Sequence, residues 1–205
     1  MARRIVRSAG SRAEALAVLA GVRAHRPRYD IAASSWDSDY ASGELDHYDA
    51  PHEAVRYAVL VGYIRDRRPR TILDIGCGVG ILRRHVDHLD FNKYVGIDPS
   101  RAAVDVAAGL GYDRTDFEVA TVPTGAHDVI VCNEMLYYVD DLDDLLERIG
   151  DCLTPDGRLV TSVYKHPGDF ALHRILERRF RAVHAVDVRN RHTPHRWKLA
   201  SYALR

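Results

Sequence analysis

The chain has 205 residues, enough for one domain with a sizeable hydrophobic core. Its 29 acidic and 29 basic residues give a formal net charge of zero, so no bulk attraction draws it to nucleic acid or to an anionic membrane. No uninterrupted apolar run approaches the roughly 20 residues of a membrane-spanning helix. Three scattered cysteines without metal or redox spacing are typical of a reducing compartment, and we expect a cytoplasmic protein.

Residues 1–66 are interpreted as a helical N-terminal segment, set before a larger unit over residues 67–205. Apolar residues recur at helical spacing from Ser11 towards Pro27. A second amphipathic helix is predicted over His52–Asp66, with Val55, Val59 and Ile64 facing inward. The stretch between them is irregular and polar but carries Trp36, Tyr40 and Tyr48. Large aromatic side chains rarely occur in such a stretch unless they pack on something.

The most informative stretch is the apolar run Thr71–Ile75, which leads into Gly76-Cys77-Gly78-Val79-Gly80. The pattern predicts a buried strand, a tight turn and a helix over Ile81–Leu89. The glycines permit positive φ and close approach of a ligand to the main chain. We expect free amides of the turn and the positive end of the helix to favour an anionic ligand group.

Two acidic residues narrow the class of ligand that this turn is expected to bind. The spacing Gly-x-Gly-x-Gly, with Asp74 beside the turn, differs from the Gly-x-Gly-x-x-Gly of dinucleotide binders and argues against an NAD-dependent oxidoreductase. A carboxylate there suits an ammonium group better than a pyrophosphate. A second strand over Lys93–Ile97 ends at Asp98, where an acid can accept hydrogen bonds from ribose hydroxyls. These features describe S-adenosylmethionine better than NAD.

Leu73–Gly80 together with Gly96-Ile-Asp-Pro99 resembles the first two motifs of class I S-adenosylmethionine-dependent methyltransferases. The likeness continues through Asp128–Val139, which is similar to N-methyltransferases of the nodulation-protein-S type, and through Leu153–Val160. It implies an α/β, Rossmann-like fold whose mostly parallel seven-stranded sheet ends in an antiparallel hairpin. It also implies S-adenosylmethionine as cofactor, with contacts at Asp74, Gly76, Cys77, Gly78, Gly80, Asp98, Pro99 and Asn133.

The remaining elements alternate as this fold requires. They are predicted as helix Arg101–Leu110, strand Asp116–Val119, strand Asp128–Cys132, helix Leu136–Leu153, strand Arg158–Tyr164, helix 169–179 and strands Val183–Val188 and Trp197–Ala203. The link after the third strand is too short for the usual helix. It also lacks the acidic residue that often meets adenine in the family, so Thr121 or the main chain of Val122 is expected to take that place.

Methyl transfer from a sulfonium needs positioning and often a base, because the cofactor carries the hard chemistry. The candidates follow strands four and five. Glu134 could accept a proton or orient an amine, Tyr137 could wall the pocket, and His166 has a pKa range suited to a base. The alternatives are that Glu134 caps the next helix and that Tyr137 belongs to the core.

In the family, the segment before the first motif often folds over the cofactor and lines the substrate pocket. Trp36, Tyr40 and Tyr48 are therefore candidate substrate-binding residues, with anchoring of the N-terminal helix as the alternative. Arg56 is a candidate partner for the methionine carboxylate, since arginine suits carboxylates, with a solvated arginine as the alternative. The acidic run after Val139 is interpreted as a solvated helix face.

The sequence thus predicts transfer of a methyl group to nitrogen or oxygen of a small molecule. The family resemblance implies a role in the biosynthesis of a specialised metabolite or a sugar. The alternative is a non-catalytic S-adenosylmethionine-binding regulator or scaffold. The short chain leaves open that a second copy completes the pocket in a homodimer. No metal is predicted, because His192 and His195 have no cysteine or acidic partner at suitable spacing. No nucleic-acid partner is expected.

Overall fold

The computed structural model describes residues 33–164, 170–190 and 195–205. The predicted helix after Ser11, His166 and His192 lie outside these ranges. None of the helices within them is long and apolar enough to cross a bilayer.

The described helices are α1 (Ala33–Ala41), α2 (Ala54–Arg67), α3 (Ile81–His85), α4 (Arg101–Gly109), α5 (Leu142–Cys152) and α6 (Phe170–Arg179). The strands are β1 (Thr71–Ile75), β2 (Lys93–Asp98), β3 (Thr115–Val119), β4 (His127–Asn133), β5 (Leu153–Tyr164), β6 (Phe180–Arg189) and β7 (Arg196–Leu204). Short 3-10 turns cover Asp46–Asp49, Pro51–Glu53 and Leu136–Tyr138.

The strands form one seven-stranded sheet in the order β3-β2-β1-β4-β5-β7-β6. Pairing is parallel from β3 to β5 and antiparallel for β5 with β7 and β7 with β6. The predicted fold class is confirmed, and so is the direct link from β3 to β4 without a helix. The chain reverses its winding direction between β1 and β4, and crevices at such points hold the ligands of open α/β sheets.

Two apolar layers bury the sheet, because the central strands are apolar on both faces. One layer combines residues such as Leu73 and Ile130 with α5 and α6. The other combines Ile72 and Val129 with α2 and α3. Burial on both sides is what continuous apolar runs predict for parallel strands.

The structure corrects several predicted boundaries. Residues 33–41, predicted as irregular, form α1, and the predicted helix over Leu136–Leu153 is a 3-10 turn followed by α5. The split occurs because Asp141 acts as the N-cap of α5, its carboxylate accepting the Asp144 N–H at 2.9 Å. The helix predicted to reach Leu89 ends at His85, and β5 begins at Leu153 rather than Arg158.

The predicted inward face of α2 is confirmed at Ile64 and wrong at Val55. Val55 was expected to face inward, yet it is 61% exposed. Arg56 is instead fully buried, and Tyr57, Leu60 and Ile64 continue the buried face. Periodicity could not predict the burial of Arg56, because this side chain is charged and periodicity places apolar residues on the inward face.

Gly96, in β2, tests how tightly the sheet packs on the turn after β1. A Cβ there would lie 2.6 Å from Phe117 Cδ1 and 3.0 Å from Cys77 Cβ. We therefore expect Gly96→Ala to lower the free energy of unfolding by about 1–3 kcal/mol, the usual range for overpacking. Urea unfolding measures the change.

Gly62 is the matched control, because it is an exposed helical glycine with nothing within 4 Å of an added Cβ. Gly62→Ala should raise the free energy of unfolding by up to about 1 kcal/mol through helix propensity. Equal effects of the two substitutions would contradict the packing described for Gly96.

Candidate active site

A cavity of about 980 Å³ lies at the carboxyl ends of β1, β2 and β4, where the winding direction reverses. Its volume is at the upper end of the range for small-molecule sites. The floor is the turn between β1 and α3, and the walls come from α1, the 3-10 turn Asp46–Asp49 and the start of α5. The topology therefore creates a site where the sequence motifs predicted one.

The glycine turn has the predicted backbone conformation, but its amides are not free to bind a ligand as predicted. Gly76, Gly78 and Gly80 have φ values of 74°, 53° and 79°, a region that favours glycine. Their amides, however, are already bonded, to Ile97 O, the Asp98 carboxylate and Cys77 O respectively. The expected use of these amides for an anionic group is therefore not supported, and the turn contributes shape.

Asp74 supplies the charge at the floor of the cavity. It is only 1% exposed, and one carboxylate oxygen accepts the Tyr94 hydroxyl at 2.6 Å. The other oxygen, Oδ1, has no hydrogen-bond partner. Burial raises the pKa of this carboxyl to about 7, although the Tyr94 hydroxyl acts in the opposite direction. A buried acceptor without a donor is costly, so this oxygen calls for a ligand donor.

Asp98 ends β2 at the opposite side of the turn. Its two oxygens accept the backbone N–H of Gly78 and of Ser100, each at 2.9 Å. Burial raises the pKa of Asp98, while these two hydrogen bonds oppose the shift. Since each carboxylate oxygen has further lone pairs, Asp98 can still accept from hydroxyl groups of a ligand.

The residues predicted to meet adenine also line the cavity. Pro99 follows Asp98, and Thr121 and Val122 follow β3. Val122 is 43% exposed and stands at the open edge. Cys77, with a buried thiol whose pKa is raised by burial, lines the floor between the glycines.

Asp37 joins helix α1 to the segment that follows β2 and so holds α1 over the cavity. Asp37 accepts the Ser100 hydroxyl at 2.6 Å and the Ala102 N–H at 3.1 Å, at the start of α4. This contact places Trp36 and Tyr40 in the cavity wall. A Cβ on Gly78 would lie 2.6 Å from the Tyr40 hydroxyl, so Tyr40 covers the turn itself.

Aromatic rings form the wall above the end of β4. Trp36 packs edge to face on Tyr138, with ring centroids 4.9 Å apart, and Tyr48 lines the same wall. Tyr137 was a candidate for this wall, but it is 3% exposed and packs in the core, where its hydroxyl donates to Glu134. Tyr138, one residue later, takes the place that the sequence predicted for Tyr137.

Glu134 lines the cavity in a strained backbone conformation, with φ of 60°. The Ser162 hydroxyl donates to its carboxylate at 2.6 Å and the Tyr137 hydroxyl at 3.0 Å. Burial raises the pKa of Glu134, and the nearby Arg56 guanidinium opposes the shift. Glu134 is therefore not a helix cap. Left-handed non-glycine residues cluster at functional sites, which favours a role for this carboxylate.

Arg56 does not occupy either predicted position. It is not solvated, and it lies outside the residues that line the cavity. Its Nε donates to Glu53 at 2.5 Å, and its Nη1 donates to Asn133, which does line the cavity. Arg56 thus supports the wall from behind, and the sequence signal for this was the helical spacing from Glu53.

The lining is strongly acidic. Eight acidic side chains border the cavity, against two arginines, within the part of the chain that the structure describes. Both arginines are paired, Arg84 with Asp49 and Arg148 with Asp144. Among the acids, Asp46, Asp140 and Asp141 are exposed at the mouth. The run interpreted as a solvated helix face therefore contributes part of the cavity wall.

A family model described as a methyltransferase domain matches residues 48–203. The chain belongs to this methyltransferase family. A relative in Bradyrhizobium diazoefficiens, named ubiquinone biosynthesis O-methyltransferase, is 30% identical over 125 residues, covering 50% of this chain and 49% of that protein. The chain thus spans about half the length of this curated relative.

Two solved structures share the fold of this methyltransferase domain. The N-methyltransferase NodS from Bradyrhizobium japonicum WM9 has a TM-score of 0.67 at 19% identity, covering 77% of this chain and 98% of that one. The 1,6-didemethyltoxoflavin-N1-methyltransferase of Burkholderia thailandensis has a TM-score of 0.70 at 20% identity, covering 95% and 90%. The predicted likeness to nodulation-protein-S-type enzymes is confirmed for the fold.

The residues of the cavity fit S-adenosylmethionine, the methyl donor of this family. The unpartnered oxygen of Asp74 suits the ammonium group, and Asp98 retains acceptor capacity for ribose hydroxyls. The glycine turn lines the same cavity, and Thr121 and Val122 border it. When bound, the sulfonium would supply an activated methyl group; the protein would supply its position.

The pKa of Asp74 predicts how cofactor binding depends on pH. An ammonium group favours the ionised carboxylate, which is lost as pH falls through about 7. S-adenosylhomocysteine should therefore bind about tenfold more weakly at pH 6 than at pH 8. Calorimetric titration across this range measures the change.

Asp74→Asn is the matched variant, because an amide can still accept from Tyr94 but does not titrate. Its affinity should be weak at both pH values. In the ligand-free chain, the raised pKa means that wild type binds more protons folded than unfolded, so stability is lost as pH rises from about 4 to 7. The variant should lose less stability across that window; parallel pH profiles of the two proteins would refute the assignment.

Proposed function

We propose that this chain transfers the methyl group of S-adenosylmethionine to an amine nitrogen of a small molecule. The observation that carries the proposal is the acidic, aromatic lining of the cavity, in which both arginines are already paired. Names of relatives include both oxygen and nitrogen methyltransferases, so the choice of nitrogen depends on this lining.

A cationic acceptor is favoured by two properties of the wall. Exposed carboxylates at the mouth create a negative potential that attracts a protonated amine. Trp36, Tyr48 and Tyr138 line the same cavity. Aromatic rings in a partly desolvated space attract a cation that lies over their faces. An anionic acceptor would meet unpaired carboxylates of its own sign, which disfavours carboxylic or phosphorylated substrates.

Glu134 is proposed as the group that receives the amine proton. A protonated amine has no lone pair for attack, so a nearby carboxylate with a raised pKa is a suitable base. The hydroxyls of Ser162 and Tyr137 hold this carboxylate in place. Trp36, Tyr40 and Tyr48 are proposed as substrate wall, with Tyr40 nearest the cofactor side. His166 stays a prediction, as do the division at residue 66, a homodimer and a biosynthetic role.

The cofactor assignment predicts calorimetric binding of S-adenosylhomocysteine and none of NADH. Asp98→Ala should weaken that binding about 10- to 100-fold, the effect of losing hydrogen bonds to a charged acceptor. Because Asp98 also holds two backbone amides, Asp98→Asn and a thermal unfolding curve should accompany it. Asp90→Ala, at a fully exposed acid, is the control and should bind normally. Preferential NADH binding would overturn the assignment.

If the acceptor is an amine, the protein should distinguish compounds that share a phenyl ring but differ in charge. Phenethylamine, 2-phenylethanol and phenylacetate present an ammonium, a hydroxyl and a carboxylate on the same ring. With the donor present, we expect the amine to bind best, and Asp140→Asn to weaken it about threefold to tenfold. Asp151→Asn, at an exposed acid of α5 outside the cavity, is the control. Preference for phenylacetate would contradict the amine proposal.

The same assays separate the alternative of a non-catalytic binding protein. Release of S-adenosylhomocysteine during incubation with donor and a panel of small amines is expected of an enzyme. Binding of the donor without any turnover over such a panel would favour a regulator or scaffold instead.

A further inference from the structure

We propose that His52, Glu53 and His195 form a zinc-binding site, separate from the methyl-transfer cavity. The three residues offer ligand atoms that all lie within 4.8 Å of one another. Two imidazoles and one carboxylate are a donor set that suits zinc. None of the three lines the cavity, so this site acts on the fold and not on the reacting atoms.

The distances are close to those of a tetrahedral site. Bonds of about 2.0–2.1 Å to zinc place neighbouring ligand atoms about 3.4 Å apart. His52 Nε2 lies 3.4 Å from Glu53 Oε1, and His195 Nδ1 lies 4.0 Å from the same oxygen. Small side-chain rotations would bring all three to one ion, with a fourth position left for water.

The groups around the site hold the ligands in orientation. Glu53 Oε2 accepts Arg56 Nε at 2.5 Å, which leaves Oε1 facing the two histidines. Burial acts to lower the pKa of the Arg56 guanidinium, but the charges of Glu134 and Glu53 outweigh this effect and raise it. The His195 ring packs edge to face on Tyr164 and Trp197, with centroids 5.7 and 5.6 Å away. Such outer contacts are typical of metal sites.

His52 adds an independent indication. Its Nε2 atom is buried and makes no hydrogen bond, although it faces a carboxylate. A buried nitrogen in this state calls for a proton or a metal. A bound ion would join the 3-10 turn before α2 to the start of β7, and α2 supports the cavity through Arg56 and Asn133. The ion would therefore tie together two elements on which the cavity wall depends.

Sequence spacing could not reveal this cluster. The prediction of no metal was made for His192 and His195 without a nearby acidic partner. The structure supplies the partner from the other end of the chain, because β7 pairs with β5 and thereby brings His195 to the beginning of α2.

Calorimetry with Zn²⁺ on untagged, chelator-treated protein tests the proposal, with Mg²⁺ as the ion that imidazole ligands disfavour. We expect one Zn²⁺ per chain, a raised urea midpoint when zinc is present, and a cobalt-substituted protein with the visible absorption of a four- or five-coordinate site. His52→Gln and His195→Gln should each weaken binding at least about 100-fold, since loss of an outer partner alone costs 10- to 100-fold.

His184→Gln is the matched control, because His184 faces Asp66 at 3.7 Å on the surface and should leave zinc binding unchanged. Both ligand histidines are partly exposed, so the variants should fold, and circular dichroism checks this. Absence of stoichiometric zinc binding would overturn the proposal. So would binding that persists in both ligand variants, which would place the ion among other histidines.

Discussion

The Asp98 carboxylate is the contact on which the cavity depends most. One oxygen holds the amide of Gly78 in the turn after β1, and the other holds the amide of Ser100 before α4. Ser100 in turn donates to Asp37, which fastens α1 over the site. A single buried charge therefore joins three segments that are far apart in the chain. Its raised pKa reflects the desolvation that this arrangement costs.

A second line of polar side chains runs behind the wall. Glu53, Arg56 and Asn133 connect the turn before α2 to the end of β4, where Glu134 and Ser162 continue the line. Buried charges of this kind persist only when they are paired and hydrogen-bonded. The aromatic wall, by contrast, is held by packing. This side of the cavity thus combines an aromatic wall with a hydrogen-bonded line of polar side chains behind it.

The local motifs could be predicted from sequence, because neighbouring residues carry them. Asp74, the three glycines and Asp98 lie in two short stretches, and the structure brings all of them to one cavity. The apolar runs were equally informative for the order of strands and helices. The predictions that failed concerned which of two neighbouring side chains faces inward, or a contact between residues far apart in the chain. Arg56 is buried although Val55 was expected to be, and Tyr138 lies in the wall where Tyr137 was expected. Neither difference leaves a trace in composition or periodicity.

The pairing of β1 with β4 also decides when the cavity can exist. These strands meet across 57 positions of the chain, as the contact of Thr71 with Asp128 shows. A nascent or partly unfolded chain that lacks β4 therefore has no cavity. A ligand of this cavity can bind only the completed sheet, so it withdraws the chain from states open to proteases by mass action. Supply of that ligand would then set the lifetime of the protein as well as its rate of turnover.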